Sequence, residues 1–261
     1  MNLRKHWAHA ATGWIVLFLA GAAQSQMGSR TRLQAPPEAE FHFARIIYRT
    51  FGGGGSHGYY QPWWAIDYPL AEEHFLPALR RFTNMSVAGD SRHLDVTEDR
   101  IFEYPFIFMQ QPGRGNWNPN YQEAARLREY LLRGGFLLVD DFHTDYEWDV
   151  FETSMRRVFP DRPIVEIPEN DSSMHVFFDL DQKTQIPGRR HVRGMDGQVR
   201  MQGPQHYRGI YDDDGRLMVA MNFNMDMGDS WEHADDPNYP MPMTAAGYRL
   251  GVNYIIYSMT H

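Results

Sequence analysis

The sequence predicts an α/β fold with an open, mostly parallel sheet flanked by helices. Short apolar runs typical of buried strands recur along the chain, and segments with apolar residues at helical spacing lie between them. Strands that alternate with helices form parallel βαβ units with right-handed crossovers. Because ligands bind at the carboxyl ends of the strands in such sheets, the loops at those ends are the candidates for function.

Composition excludes several classes of protein. The chain has 261 residues, 25 Lys and Arg against 33 Asp and Glu, a formal charge of -8, and no cysteine. Nucleic-acid binding needs a clustered basic surface, so we expect no nucleic-acid partner. The absence of cysteine excludes thiol catalysis, thiolate zinc sites and the lipidated cysteine of a lipoprotein.

Residues 1–25 have the layout of a secretory signal. Arg4 and Lys5 precede an apolar run at 14–20, and small residues such as Ala23 and Ser25 follow it. The apolar core is shorter than the ~20 residues that span a bilayer, which favours cleavage over a retained anchor. We expect an exported protein, periplasmic or extracellular and no lipoprotein, whose charge after cleavage is -10 and which has no integral membrane segment.

The first half of the expected mature chain contains a tether, two strands and two helices. Residues 26–40 predict a flexible tether, and 41–261 a single α/β domain. Residues 41–48 predict a strand, and 70–82 a helix that Pro77 should kink. A buried strand follows at 104–109, and then a helix that Asn120 and Glu123 begin as a capping box.

The second half continues the alternation of strands and helices, interrupted by one irregular segment at 168–216, which we call the excursion. Residues 136–139 predict a strand buried on both faces, and a helical stripe runs from Trp148 to Val158. Residues 164–167 predict another strand. The helical signal disappears at 168–216, which predicts a β-rich or irregular insertion. A strand at 217–223 and a helix at 244–259 end the domain.

A glycine-rich loop follows the first predicted strand. Gly53, Gly55 and Gly58 match the spacing of a dinucleotide-binding turn, but tyrosines and tryptophans follow where a helix should begin. A flexible or substrate-facing loop is therefore the preferred interpretation.

An acidic turn follows the most hydrophobic strand and is the main catalytic candidate. Thr144 and Glu147 have capping-box spacing for the next helix, which leaves Asp140, Asp141 and His143 without a structural role. Adjacent carboxylates either take up a proton or hold a cation, and an imidazole either binds a metal or shuttles protons. The other interpretation is that Asp140 shapes the turn by accepting backbone hydrogen bonds.

A second polar loop follows the strand at 217–223. Asn222, Asn224 and Asp226 alternate like calcium ligands, but the glycine falls one residue late and His233 stands in place of the last glutamate. Loops of this kind commonly bond to themselves. Trp231 is either a platform for a ligand or a cover for the edge of the core.

Several segments of the chain resemble a known family. They are residues 43–46, 64–69, 104–106, 128–142 and 248–253, of which GGFLLVDDF within 128–142 is the most specific. Over residues 41–261 the chain resembles the bacterial domain-of-unknown-function family 4159. The resemblance implies a flavodoxin-like or class I glutamine amidotransferase-like α/β fold. Those amidotransferases use a cysteine nucleophile that this chain lacks, so the resemblance implies no reaction.

Three hypotheses of function remain, and they leave open whether the protein is an enzyme; one of them is a purely structural protein, which predicts no cleft near residues 140–143. In the first, the domain binds a small polar ligand or an envelope protein at the carboxyl edge of its sheet, through Asp67, Trp64, Trp231 and Asp226. In the second, the acidic turn at 140–143 serves a metal-assisted hydrolase, with a divalent cation as its cofactor. Convergence of Asp67, Asp141, His143, Asp226 and Trp231 on one place would favour the second.

Overall fold

A seven-stranded sheet lies at the centre of the chain. The structure is a computed structural model that describes residues 39–50, 52–56, 59–193 and 198–261. The predicted signal at 1–25 and all but the last two residues of the predicted tether at 26–40 lie outside these ranges. Residues 39–261 cluster as one compact unit. No helix in the described ranges has the length and apolar character needed to cross a bilayer.

The strands and helices of the described chain have the following bounds. The strands are β1 (Ala44–Ile47), β2 (Gly53–Ser56), β3 (Tyr59–Pro62), β4 (Arg92–Asp95), β5 (Phe106–Gln110), β6 (Phe136–Phe142), β7 (Val165–Glu166), β8 (Val192–Arg193), β9 (Gln198–Val199), β10 (His206–Tyr211) and β11 (Leu217–Phe223). The helices are α1 (Leu70–Thr83), α2 (Tyr121–Leu132), α3 (Asp145–Val158), α4 (Met227–Glu232) and α5 (Met241–Thr260).

The strand order confirms the predicted α/β class. The sheet runs β4-β1-β5-β6-β11-β10-β7, and the first five of these strands are parallel. Counted along the chain, the parallel strands have the order 2-1-3-4-5, which is the flavodoxin-like order. The order reverses between β1 and β5, so a crevice is expected at the carboxyl ends of those two strands.

Helices cover both faces of the sheet and bury two hydrophobic cores. The side chains of β5 alternate between the cores, because successive residues of a strand point to opposite faces. One core contains residues of α1, α4 and α5, and the other contains residues of α2 and α3.

Local signals explain where the two middle helices begin. Asn120 accepts hydrogen bonds from the N–H groups of Gln122 and Glu123, and Glu123 accepts from the N–H of Asn120, which is the predicted capping box. Thr144 accepts from the N–H of Glu147, but the Glu147 carboxylate accepts from the N–H of His143 instead of Thr144. The second box is therefore shifted by one residue.

Four elements differ from their prediction or were not predicted. The helix α1 continues through Pro77 without a break. The strand β4 was not predicted, because it is an edge strand in which only Leu94 is buried. The predicted strand at 164–167 is β7, which pairs antiparallel to β10 at the other edge and not in a parallel unit. The glycine-rich loop contributes β2 to a two-stranded ribbon with β3.

The excursion at 168–216 is irregular, as predicted. Its described residues contain two 3-10 turns, at Ser172–Met174 and Arg189–His191, the short ribbon of β8 and β9, and the strand β10. The segment around Gly188 returns to the carboxyl ends of the parallel strands, where its backbone contacts the polar side chains described below.

Candidate functional site

A bulge at the end of β6 turns two adjacent carboxylates toward the same edge of the sheet. Between the pairs Val139–Met221 and Phe142–Phe223, β6 has one residue more than β11. Asp141 takes a φ of 58° there, although side chains other than glycine rarely adopt this conformation. Bulges of this kind re-aim side chains and are frequent beside active sites. Asp140 and Asp141 therefore do not point to opposite faces, as residues of a regular strand would.

Asp140 joins β6 to the short helix α4. Its Oδ2 accepts hydrogen bonds from the N–H groups of Met227 at 2.7 Å and Gly228 at 3.0 Å. Its Oδ1 is buried and has no hydrogen-bond partner. The structure thus places Asp140 at the start of α4, as a support for the loop that carries Asp226.

Asp141 is held by two glutamines and a histidine. Gln110 and Gln111, at the end of β5, both donate through Nε2 to its Oδ2. His143 Nε2 lies 2.9 Å from its Oδ1. The Oε1 atoms of both glutamines are buried without a hydrogen-bond partner, so each amide places an unused oxygen acceptor beside the carboxylate.

Asp67 reaches the same place from the connection between β1 and α1. Gln110 Nε2 donates to its Oδ2 at 2.5 Å, so the Gln110 amide lies between Asp67 and Asp141. A buried ion pair supports this connection: Arg45 donates to the carboxylate of Glu72 at 2.5 and 3.1 Å, and to the carbonyl oxygen of Ile66 at 3.0 Å. Asp67 itself has a φ of 68°.

Two further carboxylates of this site come from α4: Asp226 caps the helix and Asp229 lies in its first turn. Asp226 caps this helix, since its Oδ1 accepts from the N–H of Asp229 at 2.8 Å. The N–H of Arg189 donates to Oδ2 of Asp229 at 2.6 Å. A Cβ at Gly188 would lie 2.7 Å from Oδ2 of Asp226 and 3.2 Å from Oδ2 of Asp229. The backbone of the excursion thus covers both carboxylates closely, and only glycine fits at that contact.

Six carboxyl groups therefore meet in a small volume, and five of the six residues are buried. We call them the acidic cluster: Asp67, Asp140, Asp141, Asp226, Asp229 and Glu232. Burial and mutual repulsion raise the pKa of Asp67 and of Asp226 well above the usual value, and raise the pKa of Asp140 to about 7. Burial would also raise the pKa of Asp141, but the hydrogen bond and charge of His143 outweigh it and lower that pKa.

Three groups of side chains in and beside the cluster have metal-ligand spacing. In each group one ligand atom per residue lies within 4.8 Å of the others. The groups are Asp141–His143–Asp226, Asp67–Asp226–Asp229 and Asp229–Glu232–His233. Cavities of about 140, 500 and 530 Å³ lie elsewhere in the described chain, and none of the three is lined by a residue of the acidic cluster. The spacing of these ligand atoms is the spacing that a single metal ion requires.

Comparison with known proteins identifies the family. The family model of DUF4159, described as a domain of unknown function, matches residues 42–259. The chain belongs to this family. No curated protein matches the sequence. Because the description of the family names no reaction, the chemistry of this DUF4159 domain has to follow from its own residues.

Most of the site residues predicted from the sequence lie together in the DUF4159 domain. Asp67, Asp141, His143 and Asp226 meet within the first two groups, and Asp140 supports them through α4. These residues come from three separate connections of the sheet. Four of the five residues whose convergence would favour the metal-assisted hydrolase therefore lie together, and the fifth, Trp231, does not.

The two predicted aromatic ligand residues lie elsewhere. Trp231 is 1% exposed and stacks on Phe75 with ring centroids 4.3 Å apart, so it belongs to the core. This corrects the interpretation of Trp231 as a ligand platform. Gly251 of α5 allows the burial, because a Cβ there would lie 2.7 Å from the indole. The half-buried ring of Trp64 packs edge-to-face on His93 of β4.

The loop that resembles a calcium site bonds to its own surroundings. Asn224 donates to the carbonyl oxygens of Gly203 and Pro204, and Asn222 donates to the sulfur of Met227. Of the residues that resemble calcium ligands, only Asp226 belongs to the acidic cluster.

Sequence reasoning missed several residues of the site. Gln110 and Gln111 were not recognised as site residues, although Gln110 ends β5 beside the acidic turn and Gln111 follows it. Asp229 and Glu232 were not recognised, because α4 has six residues and shows no helical apolar period. Because the carboxyl ends of parallel strands meet at one edge of the sheet, the position of the two glutamines after the apolar run of β5 predicts that they lie beside the acidic turn.

Proposed function

We propose that this DUF4159 domain binds a divalent metal ion in the acidic cluster, at the carboxyl edge of its sheet. The observation that carries the proposal is the meeting of Asp67, Asp141, His143 and Asp226, with ligand atoms within 4.8 Å of one another in each group, beside a buried Asp140 oxygen that has no hydrogen-bond partner. Buried polar atoms nearly always pair with protein, ordered water or an ion, and among carboxylates a cation is the partner that also offsets their charge. The small polar ligand expected from the sequence would then bind beside this ion.

The donor set restricts the kind of ion. Carboxylate and amide oxygens suit Mg²⁺, Ca²⁺ and Mn²⁺, whereas an imidazole suits Zn²⁺ and other transition metals. Asp226 and Asp67 offer only oxygen, and His143 adds a single nitrogen. The set therefore fits Mn²⁺ and Zn²⁺, because both ions accept carboxylate oxygens together with an imidazole nitrogen, and the excess of oxygen donors favours Mn²⁺.

Metal-assisted hydrolysis is the second candidate, favoured by the pairing of His143 with Asp141. A carboxylate that accepts from one imidazole nitrogen orients the ring and stabilises its protonated form. A bound divalent ion would supply an activated water or polarise an oxygen of the substrate. In this candidate His143 either holds the ion or moves the proton at its ring nitrogen.

Metal titration of the purified protein tests the proposal. The protein is stripped with a chelator and titrated with Mn²⁺, Zn²⁺, Ca²⁺ or Mg²⁺ by calorimetry, and its melting temperature is followed in parallel. At about a hundredfold excess over the dissociation constant, binding stabilises the native state by about 2.7 kcal/mol. For a domain of this size we expect the melting temperature to rise by roughly 5–10 °C.

Two variants make the test specific. Asp226→Asn removes one charge from two of the groups and should weaken Mn²⁺ binding at least tenfold. Asp149→Asn is the matched control, because Asp149 is exposed on α3 and lies outside the cluster. Equal affinity in the two variants, or a wild-type protein that binds none of the four ions, would refute the proposal. Hydrolysis is checked with p-nitrophenyl esters and phosphates, and activity that His143→Gln leaves unchanged would exclude the second candidate.

Two further proposals concern the fold and the location of the protein. The 2-1-3-4-5 order supports kinship with the class I glutamine amidotransferase-like fold, and an experimental structure with another strand order would contradict it. The basic and apolar pattern of residues 1–25 supports export. Sequencing of the mature protein should find an N-terminus near Gln26, and an uncleaved chain in the cytoplasm would contradict it.

A further inference from the structure

We infer that the acidic cluster holds two divalent ions bridged by the carboxylate of Asp226. One ion is held by Asp141, His143 and Asp226, and the other by Asp67, Asp226 and Asp229. The inference rests on the proposed function, since it needs the cluster to bind metal, and it adds the number of ions and the residue they share.

Geometry is the first support for a bridged pair. Asp226 contributes to both groups, while their remaining members are different residues on different connections of the sheet. The second group receives Asp67 from the connection after β1, and the first receives Asp141 and His143 from the end of β6. In proteins with two-metal sites the ions lie roughly 3.5–4 Å apart, which one carboxylate spans through its two oxygens.

The two glutamines provide an observation that is independent of the carboxylates. Gln111 donates to Asp141, and Gln110 donates to both Asp67 and Asp141. Both side chains are more than nine-tenths buried, and the Oε1 atom of each is unpaired. Each amide thus contacts the carboxylates through its nitrogen and keeps a buried oxygen without a partner, and the cluster itself contains another unpaired oxygen, Oδ1 of Asp140.

Charge is the third support. Of the arginines near the acidic cluster, Arg45 is neutralised by Glu72 and Arg189 pairs with Asp236 at 2.6 Å, which leaves Arg190 acting on Asp141. One divalent ion would offset only two of the six acidic charges. Buried charges that lack a partner are strongly unfavourable, so a second ion offsets a charge that would otherwise need bound protons.

The third group is assigned a supporting role. Glu232 and His233 lie on the outer side of Asp229, and His233 Nε2 is 3.2 Å from Glu232 and 3.8 Å from Asp229. A histidine in this position orients the carboxylate that binds the ion. Such outer contacts commonly change metal affinity by roughly ten- to a hundredfold when they are removed.

Stoichiometry and magnetic coupling test the inference. Metal-free protein is titrated with Mn²⁺, and the bound ion is counted by native mass spectrometry and followed by electron paramagnetic resonance. We expect two Mn²⁺ ions per chain at saturation. Because two ions that share one carboxylate are magnetically coupled, the hyperfine pattern of isolated Mn²⁺ should be lost as the second ion binds.

Two variants assign the sites separately. His143→Gln removes a ligand of the first site only, and Asp229→Asn removes a ligand of the second site only. Each should bind one ion and keep the uncoupled spectrum, while the control Asp149→Asn should bind two. Circular dichroism of each variant shows whether it is folded before its metal content is interpreted.

The outcomes separate this inference from the proposed function. If the wild-type chain binds one ion at saturation, the bridged pair is wrong but the metal site stands. If it binds two ions without magnetic coupling, Asp226 does not bridge them and the inference is also wrong. If it binds none, the proposed function fails as well. A variant at either site that still binds two coupled ions would overturn the assignment of residues.

Discussion

Replacement of Asp140 by asparagine should stabilise the metal-free protein at neutral pH. Burial and the neighbouring Asp141 raise the pKa of Asp140 from 3.8 to about 7. A carboxyl group whose pKa is raised by folding contributes stability that is complete below its unfolded pKa and is lost as the pH rises through its folded pKa. The wild-type protein should therefore lose this contribution between about pH 4 and about pH 7.

The expected gain in stability follows from the size of the pKa shift of Asp140. About three pKa units at 1.36 kcal/mol each correspond to roughly 4 kcal/mol. Asparagine keeps one carbonyl oxygen that can accept from the N–H groups of Met227 and Gly228, and it replaces the unpaired Oδ1 by an amide. At pH 7.5 we expect the free energy of unfolding of Asp140→Asn to be about 2–4 kcal/mol higher than that of the wild type. The range allows for relaxation of the site around the charge. At pH 4 the two should be equal.

Urea unfolding in the presence of a chelator measures the difference at pH 4, 6 and 7.5. Asp141→Asn is the opposite control, because the pKa of Asp141 is lowered in the folded state. The ionised Asp141 carboxylate stabilises the native state above the pKa that this residue has in the unfolded chain, and this stabilisation is lost as the pH falls through the folded pKa. Asp141→Asn should therefore be less stable than the wild type at pH 7.5. If Asp140→Asn were destabilised by the same amount at every pH, the pKa of Asp140 would be equal in the folded and unfolded states and the reasoning would be refuted.

Three other substitutions test separate parts of the structure. Trp231→Ala should lose about 3–5 kcal/mol in urea unfolding because the indole is buried, and a loss below about 1 kcal/mol would restore the ligand-platform interpretation. Gly228→Ala places a Cβ against Oδ2 of Asp67 and forces that carboxylate to move. The Mn²⁺ affinity measured by calorimetry should therefore fall at least tenfold, and an unchanged affinity would contradict the role of Asp67 as a ligand. Asn120→Ala removes a helix cap and should cost about 1 kcal/mol without changing Mn²⁺ affinity, so weaker binding would contradict the separation of that cap from the site.

The centre of the sheet could be predicted because its strands are buried on both faces. All residues of β5, β6 and β11 are buried, and such strands appear in the sequence as continuous apolar runs. The edges lack this signal. In β4 one residue in four is buried, and β7 has two exposed residues, so neither its pairing nor its direction follows from the pattern of side chains.

The acidic turn could be found, but its architecture could not. The pattern of apolar residues ends β6 at Val139, whereas the strand continues to Phe142 through the bulge. That bulge depends on Asp141 adopting a positive φ, which the sequence does not show because the residue is not glycine. Asp140 and Asp141 consequently have different roles, one as support for α4 and one as a candidate ligand, although they are adjacent in the chain.

Backbone conformation links these separate loops into one site. Six described residues other than glycine have a positive φ, and Asp67, Gln111, Asp141 and Asn224 among them lie at the carboxyl edge. Such residues cost of order 1–3 kcal/mol each and persist where the surrounding structure holds them for a function. Arg45 and Glu72 hold the connection that carries Asp67, and the bulge holds Asp141. Two of these residues, Asp67 and Asp141, are also members of the acidic cluster, so the strained positions and the buried charges coincide at the proposed cation site.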